Sequence, residues 1–491
     1  MHFQKAFRPV SSLLTHTQSR YFSQFKQLTK EDVTYFSSFL SPNEIIQDSF
    51  ELEAYNSDWL KKYIGQSKLA LRPNSTEKIS KILKYCSEQN IAVVPQGGNT
   101  GLVGGSTPIN DEIILSLKNM NKIIDFDDVS GVITCEAGCV LESLNQYLAS
   151  KSYEIPLDLG AKGSCVIGGN IATNAGGTHF VKFGPFKSYI LGLEAVLPNG
   201  EILDMESKIL KDNTGIDLKQ AFIGSEGILG VVTKANIRAS PIDKFKQVLF
   251  MQCESFQKVL EINKLARAKL GRNLGAIEYQ DAYAYATIQK YIKNAVNPFP
   301  NNDMQKYYVL IEVCGTEVLE NIVEDLYTEL SEKKLVEDCI ASENDTQFVS
   351  LWKLREEIAV AANHIGLVFK YDISLPVEKF EELCLIVRNK IGCLGYTMGY
   401  GHLGDSNMHI NVGCFDNSKK KQVESILEPF VFEWLSHVNG SISAEHGVGR
   451  QKAKYLHYSK DKGAIELMKK LKKVFDPKGI MNPYKVLPSD S

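Results

Sequence analysis

Two histidines and a Glu-His pair are the residues of this chain whose types and spacing most clearly allow chemistry. His402 and His409 flank a short polar segment, and Glu445 is followed directly by His446. Two imidazoles and one carboxylate suit Zn²⁺ or another borderline divalent cation and leave coordination positions open for a substrate. Taken alone, the spacing of the two histidines favours structural roles in a turn, because it is not a common zinc-ligand spacing. The residue types therefore allow a metal site without establishing one.

Three side chains, His446 among them, could bind or deprotonate a ligand at such a site. His446 is a candidate general base, because a near-neutral imidazole can accept a hydroxyl proton; positioning alone is its alternative role. Arg355 and Lys370 could supply fixed positive charge to an anionic ligand. Isolated cationic residues are usually solvated, but Lys370 continues the apolar run 367–369, where an unpaired ammonium would be costly.

A glycine-rich segment, residues 95–105, could hold a nucleotide. Its glycines remove side chains where a pyrophosphate must approach and leave backbone N–H groups free to bind it. Sharp turns use the same residues, so this segment alone is weak support. Two more glycine clusters, at 160–177 and 224–230, favour one ligand that several backbone loops contact.

Other nucleotide-binding motifs fit the sequence poorly. No G-K-[ST] sequence is present, which excludes a Walker loop. The one G-x-G-x-x-G match, residues 399–404, precedes the strand-like run 408–412 rather than a helix, so it fails the context of a Rossmann fingerprint. A nicotinamide-dependent dehydrogenase is therefore disfavoured.

The elements that must position these residues divide near residues 240–243. Before that point, the pattern predicts a helix over 75–89 and strands over 91–95 and 231–239. After it, glycine becomes rarer and strands over 248–251 and 308–313 alternate with helices. A helix over 461–473 ends before Pro477 and Gly479. The order of elements predicts an α+β protein of two main domains.

Composition narrows the compartment and the partners. The 55 Lys and Arg residues nearly balance 58 Asp and Glu residues, so no net field favours nucleic acid or an anionic membrane. No apolar run approaches the roughly 20 residues that span a bilayer. Ten cysteines without a C-x-x-C pair fit a reducing compartment. The first acidic residue is Glu31, and the basic segment before it predicts a transit peptide over 1–22, a disordered basic tail being the alternative.

Six low-degeneracy strings carry a specific resemblance: residues 95–105, 156–164, 168–177, 224–227, 401–405 and 443–447. With them, nearly all the chain after residue 45 resembles FAD-binding oxidoreductases of the vanillyl-alcohol-oxidase type. Within that family it is similar to the FAD-linked D-2-hydroxy-acid dehydrogenases. The resemblance implies a two-subdomain FAD-binding domain over 45–240, an α+β cap domain with an antiparallel sheet over 241–455, and a C-terminal helical segment over 456–491 that returns to the FAD domain.

The resemblance also implies roles for particular residues. Some family members attach FAD through a histidine where this chain has Asn99, so non-covalent FAD is expected, with Cys165 as the only nearby alternative anchor. It assigns the metal to His402, His409 and Glu445, and substrate contacts to Arg355, Lys370, Asn411 and His446. Cofactor binding is expected from Gly97, Gly98, Asn99, Thr100, Gly101, Pro156, Gly163, Ser164, Gly168, Thr173, Asn174, Glu226, Val231 and Asn482.

The implied reaction is oxidation of D-2-hydroxyglutarate to 2-oxoglutarate, with hydride transfer to flavin N5 and metal-assisted deprotonation of the hydroxyl. The implied electron acceptor is electron transfer flavoprotein, in the mitochondrial matrix. Ala359 stands where the hydroxyglutarate enzymes usually carry a threonine, which leaves the exact substrate open.

Two alternatives remain. A D-lactate dehydrogenase of the same fold would share the flavin loops and metal motif, although the lactate enzymes lack the lysine found here at Lys370. A non-catalytic flavin- or metal-binding protein would keep the glycine loops without the metal-plus-base set. The sequence leaves the metal's identity and the oligomeric state open, a homodimer included.

Overall fold

The computed structural model of the protein describes residues 24–300 and 303–489; the predicted transit peptide over 1–22 lies outside them. The helices are α1 (Lys30–Ser37), α2 (Ser49–Asn56), α3 (Thr76–Gln89), α4 (Leu141–Ala149), α5 (Ile167–Thr173), α6 (Phe180–Phe183), α7 (Lys219–Phe222), α8 (Phe256–Leu270), α9 (Ala282–Tyr291), α10 (Glu320–Glu332), α11 (Asp345–Glu356), α12 (Ile358–Ala362), α13 (Phe380–Ile391), α14 (Lys420–Leu427), α15 (Phe430–His437) and α16 (Lys462–Phe475).

The strands are β1 (Ile45–Ile46), β2 (Ala70–Leu71), β3 (Val93–Gln96), β4 (Ile113–Ser116), β5 (Ile123–Asp127), β6 (Val132–Glu136), β7 (Tyr153–Glu154), β8 (Ile190–Val196), β9 (Ile202–Met205), β10 (Val231–Arg238), β11 (Ser240–Pro241), β12 (Phe245–Cys253), β13 (Leu274–Asp281), β14 (Tyr307–Gly315), β15 (Asp338–Ala341), β16 (Leu367–Ser374), β17 (Gly395–His402) and β18 (Asn407–Cys414).

Two sheets share the core of the N-terminal half. One has the order β1-β2-β4-β3 and the other β5-β6-β10-β8-β9. Helix α3 illustrates how the sequence builds this region: the Ser75 hydroxyl caps its first turn, Asn90 ends it in a left-handed conformation, and a buried stripe between them faces the core. Phe25 and Phe36 belong to the same core, which therefore begins before residue 45, the predicted start of this domain.

A seven-stranded antiparallel sheet dominates the second half, in the order β15-β12-β14-β13-β17-β18-β16. Successive side chains of a strand point to opposite faces, and a separate hydrophobic cluster covers each face. Strand β13 is buried along its whole length, so even its acidic residues lie inside the protein. The architecture is α+β, as the sequence predicts.

The C-terminal segment packs on the N-terminal half. Met481 forms a β-bridge with Val93, and the backbone N–H of Asn482 donates to the Val93 carbonyl at 2.8 Å. Ile480 and Met481 are fully buried in the N-terminal core. Residues far apart in sequence thus close the region around the 95–105 loop.

Most predicted elements agree with the structure, including the helix over 75–89, whose first predicted residue is the N-cap. The predicted strand over 91–95 is shifted and begins at Val93. The G-x-G-x-x-G match lies in the β17–β18 hairpin, which confirms that it is not a Rossmann fingerprint. Among the described residues, no helix is both long and apolar enough to cross a bilayer.

Candidate active site

The predicted pyrophosphate loop packs directly on the second glycine segment. A Cβ atom at Gly98 would lie 2.1 Å from the Ser164 carbonyl oxygen, and one at Gly97 would lie 2.6 Å from Val166. No atom of residues 24–300 or 303–489 outside the immediate chain neighbours lies within 4 Å of the corresponding position at Gly101. The loop therefore brings two predicted cofactor segments together by lacking side chains, and Gly101 leaves open space beside them.

The side chain of Asn99 stabilises this loop from within. Its backbone adopts a left-handed conformation with φ of 55°. The amide donates to the Ser57 carbonyl at 2.7 Å, and the amide oxygen accepts from the Ser106 hydroxyl at 2.8 Å. Cys165 is buried, and burial raises the pKa of its thiol. Neither residue offers an activated nucleophile, in keeping with the prediction of non-covalent FAD.

The other residues predicted to bind the flavin differ in their surroundings. Pro156, Gly168 and Val231 are buried or enclosed, and Thr173 donates back to the Gly169 carbonyl at 3.0 Å. Asn174 ends α5 in a left-handed conformation, and its Oδ1 atom is buried without a hydrogen-bond partner among the described residues. A buried acceptor without a partner is costly, so this atom fits a bound group that brings a donor.

Glu226 and Asn482 hold the loops together. The Glu226 carboxylate accepts from the backbone N–H groups of Val448 and Gly449 at 2.7 and 2.8 Å. The Asn482 amide donates to the carbonyls of Gly105 and Glu226. These two residues, both predicted to bind the cofactor, together connect the 95–105 loop with the segment that follows Glu445.

The three predicted metal ligands converge. His402 ends β17, His409 lies on β18, and Glu445 comes from the turn after α15. One potential ligand atom from each lies within 4.8 Å of the other two. The two Nε2 atoms are 3.4 Å apart, and His402 Nε2 lies 3.6 Å from Glu445 Oε1. That Oε1 atom is buried and accepts no hydrogen bond from the described residues, which fits a bound cation.

Glu278 of β13 orients two of the predicted site residues. One carboxylate oxygen lies 2.7 Å from His402 Nδ1, and the other accepts from Arg355 Nε at 2.7 Å. This contact leaves His402 Nε2 facing the ligand cluster, a common arrangement in metal sites. Although burial opposes the charge, the Glu278 carboxylate raises the pKa of His402 to about 9. The surroundings of this imidazole therefore favour positive charge.

Asp372 of β16 orients the Glu445-His446 turn. One oxygen of its carboxylate accepts from the backbone N–H groups of Glu445 and His446 at 3.1 and 2.9 Å. The same oxygen lies 3.6 Å from His446 Nδ1. Burial opposes its charge, but His446 and Lys452 nevertheless hold the pKa of Asp372 well below its usual value. Burial lowers the pKa of His446, although the Asp372 carboxylate acts in the opposite direction.

The predicted substrate residues line the same face of the sheet. Lys370 on β16 stands opposite Asn411 on β18 in the strand register. The Asn411 amide donates to the Tyr400 hydroxyl at 2.8 Å, and the Arg355 guanidinium lies 4.8 Å from the Tyr400 ring centroid. Burial lowers the pKa of Lys370, and no carboxylate of the described residues counters that effect. A partly buried ammonium in this position suits an anionic ligand.

The glycine segment that ends at residue 177 touches the metal cluster. A Cβ atom at Gly176 would lie 3.3 Å from Glu445 Cγ. Val181 of α6 fills the space beside Gly404, in the turn between the two histidine-bearing strands. The predicted flavin loops and the predicted metal site therefore adjoin each other.

Comparison with known proteins supports this assembly. The FAD-binding domain family matches residues 67–206, and the C-terminal domain family of FAD-linked oxidases matches residues 242–486. A mitochondrial D-2-hydroxyglutarate dehydrogenase from Danio rerio is 45% identical over 471 residues, which cover 95% of this chain and 87% of the relative. The chain belongs to the D-2-hydroxyglutarate dehydrogenase family. It is an FAD-dependent D-2-hydroxy-acid dehydrogenase, as the sequence predicts.

Members of this family carry more than one name. A D-2-hydroxyglutarate–pyruvate transhydrogenase from Saccharomyces cerevisiae is 42% identical, with 94% of this chain and 95% of the relative covered. Among solved structures, p-cresol methylhydroxylase superposes with a TM-score of 0.75 at 14% identity, covering 95% of this chain and 99% of that one. This likeness confirms the prediction that this chain has the vanillyl-alcohol-oxidase fold.

Sequence reasoning missed three residues that position the site: Glu278, Asp372 and Tyr400. Asp372 and Tyr400 have a sequence signal in the two-residue period of a strand: Asp372 lies two positions after Lys370, and Tyr400 lies two positions before His402. Residues two apart on a strand share a face, so this period could have assigned these two residues to the site. Glu278 is a charged residue inside a strand-like apolar run, which does not by itself link it to His402.

Proposed function

We propose that this chain oxidises D-2-hydroxyglutarate to 2-oxoglutarate, with FAD in the N-terminal half and a divalent cation held by His402, His409 and Glu445. The observation that carries the proposal is the contact between this ligand cluster and the glycine segment at Gly176. A 2-hydroxy acid coordinated there would lie next to the loops expected to hold the flavin. When bound, FAD accepts a hydride and a divalent cation lowers the pKa of a coordinated hydroxyl.

The donor set supports the proposed cation. Two imidazole nitrogens and a buried carboxylate oxygen without a partner are ligands that zinc and similar ions accept. The acidic neighbours that favour positive charge on His402 would stabilise a cation at the same place. The cation's identity stays a prediction.

His446 is the proposed proton acceptor. The Asp372 carboxylate fixes its backbone, and its ring lies 6.2 Å from the His409 ring, centroid to centroid. A substrate hydroxyl at the ligand cluster would therefore lie close to this imidazole. Proton transfer requires that geometry first and a neutral base second.

Two cations are proposed to bind the substrate's carboxylates. Arg355 is fixed by Glu278, with Nη2 3.4 Å from His402 Nε2, so it reaches the metal cluster directly. Lys370 stands on β16, the edge strand of the sheet, and is proposed to bind the second carboxylate of a diacid. This lysine favours D-2-hydroxyglutarate over D-lactate, which has one carboxylate.

The electron acceptor and the location are proposed from the relatives. The mitochondrial name of the Danio rerio relative supports a mitochondrial location, and the matrix with electron transfer flavoprotein as acceptor stays a prediction. The name of the yeast relative favours pyruvate as a second candidate acceptor. In that case the hydride taken from one acid would be returned to the keto carbon of pyruvate.

Anaerobic flavin bleaching tests the proposal. Purified holoprotein is mixed with D-2-hydroxyglutarate, D-lactate or their L-enantiomers, before and after chelation. Rapid bleaching by the D-diacid that chelation abolishes is expected. Bleaching mainly by D-lactate would overturn the substrate, and bleaching that survives complete metal removal would overturn the metal's role. Adding pyruvate or electron transfer flavoprotein to the reduced protein then distinguishes the acceptors by the rate of reoxidation.

A further inference from the structure

One histidine outside the proposed metal site connects the two halves of the protein. His179 lies between the glycine segment ending at Gly177 and helix α6. Its Nε2 atom lies 3.0 Å from an oxygen of Glu312, on strand β14 of the large sheet. Its Nδ1 atom lies 3.9 Å from Asp158, in the predicted flavin segment. The imidazole thus contacts an acid from each half.

Glu312 also contacts α11, the helix that carries Arg355. Its second oxygen accepts from the indole N–H of Trp352 at 3.0 Å. Trp352 and Arg355 lie three positions apart on α11, and both are buried. A single carboxylate therefore fastens the helix bearing a substrate-binding arginine to the loop beside the flavin.

The electrostatics of this contact favour a positive charge on His179. Burial opposes its charge, but Glu312 and Asp158 together raise its pKa, while Lys246 acts in the opposite direction. In return, His179 lowers the pKa of Glu312, which burial alone would raise. Glu312 is almost fully enclosed, so removing His179 would leave a buried carboxylate with the Trp352 indole as its remaining hydrogen-bond donor.

We infer that His179 is a positioning residue that sets the distance between the flavin loop and the substrate held by Arg355. The inference rests on the proposed function, because it assumes that Arg355 binds the acid undergoing oxidation. Hydride transfer needs its reacting atoms about 3–3.5 Å apart, and a misplacement of about 1 Å can cost roughly 100-fold in rate. Loosening the His179–Glu312–Trp352 contact should therefore lower kcat more than it raises KM.

The test compares His179→Gln, which removes the charge, with His179→Arg, which keeps a cation able to bond both acids. In His179→Gln, flavin and metal content should match the wild type, while kcat falls about tenfold or more and KM changes little. His179→Arg should recover most of kcat. His437→Gln, at an exposed histidine on α15, is the matched control. Unchanged kcat in His179→Gln, or no recovery in His179→Arg, would overturn the inference.

A spectroscopic readout separates positioning from folding. Binding of 2-oxoglutarate, which cannot reduce the flavin, should perturb the visible flavin spectrum of the wild type. In His179→Gln that perturbation should shrink although the acid still binds. An unaltered spectral response would contradict a positioning role.

Thermal unfolding tests the contact without any substrate. Because the pKa of His179 is raised by folding, its stabilisation is full below the unfolded value near 6.5 and is lost as pH rises through the folded value. The wild type should therefore lose its Tm advantage over His179→Gln as pH rises. His179→Gln and Glu312→Gln should also destabilise less together than the sum of their separate effects. Additive effects would refute the contact, whereas a wild-type flavin that no acid perturbs would refute the proposed function alone.

Discussion

The two proposed ligand-binding regions of this protein are built in opposite ways. The 95–105 loop and its partner segments approach one another through missing side chains, as the 2.1 Å clash of a Cβ at Gly98 illustrates. The face of the seven-stranded sheet instead presents charged and aromatic side chains on adjacent strands. Glu278 contacts His402 there, and Asp372 accepts from the backbone of the turn that carries His446. Backbone groups suit a cofactor with fixed phosphates, and side chains suit a substrate whose charges must be read.

This difference predicts separable losses, and the largest is expected on the sheet face. His409→Ala should remove one of the two proposed imidazole ligands and lower metal affinity and kcat by more than about 100-fold, above the usual effect of losing an outer-shell partner. Metal content by atomic emission and the flavin absorbance of the same sample check it. Flavin absorbance should stay intact, and a metal-free variant with full activity would refute the metal mechanism.

The complementary loss is expected in the glycine loop. In Gly98→Ala the new Cβ would meet the backbone carbonyl of Ser164, which cannot move cheaply, so FAD occupancy should fall while metal content stays at the wild-type level. Gly101→Ala distinguishes a clash within the protein from a clash with the cofactor, because the described residues leave open space at that position. FAD loss in both variants would mean that the cofactor itself fills the space; full FAD occupancy in Gly98→Ala would contradict the proposed loop packing.

A smaller effect should distinguish the substrate's two ends. Lys370→Ala should lower kcat/KM for D-2-hydroxyglutarate roughly 30-fold, because a charge-assisted hydrogen bond is lost. This change corresponds to about 2 kcal/mol of transition-state stabilisation. The loss for D-lactate should be several-fold smaller. Lys353→Ala, at an exposed lysine of α11, is the control. Equal losses for both acids would show that Lys370 does not bind the second carboxylate.

The smallest effect concerns the departure at Ala359. This residue lies four positions after Arg355, near the start of α12, and is half-buried. Ala359→Thr should lower KM for D-2-hydroxyglutarate by about threefold to tenfold if the new hydroxyl donates to the substrate. Ala359→Val has the same shape without the hydroxyl and should give no gain. Equal KM values in the two variants would remove any role for a hydroxyl there.

The same contrast explains how much the sequence could predict. The glycine segments are contiguous, so residues 95–105 and 168–177 could be assigned to a cofactor before any fold was known. His402, His409 and Glu445 were predicted through resemblance, because their spacing alone favours a turn. Glu278 could not be linked to His402, which lies 124 residues away, since that contact depends on the pairing of β13 with β17. Long-range register is a property of the folded sheet.

The strand lengths of the sheet also restrict how this site can change. His409 pairs with Tyr400 on one side and with Asp372 on the other, and Asn411 pairs with Lys370. Deleting a single residue from β18 ahead of His409 would turn both His409 and Asn411 to the far face at once. Insertions and deletions are therefore expected in the connecting loops. Transferring these side chains to another scaffold would require β16, β17 and β18 to be transferred together in their present register.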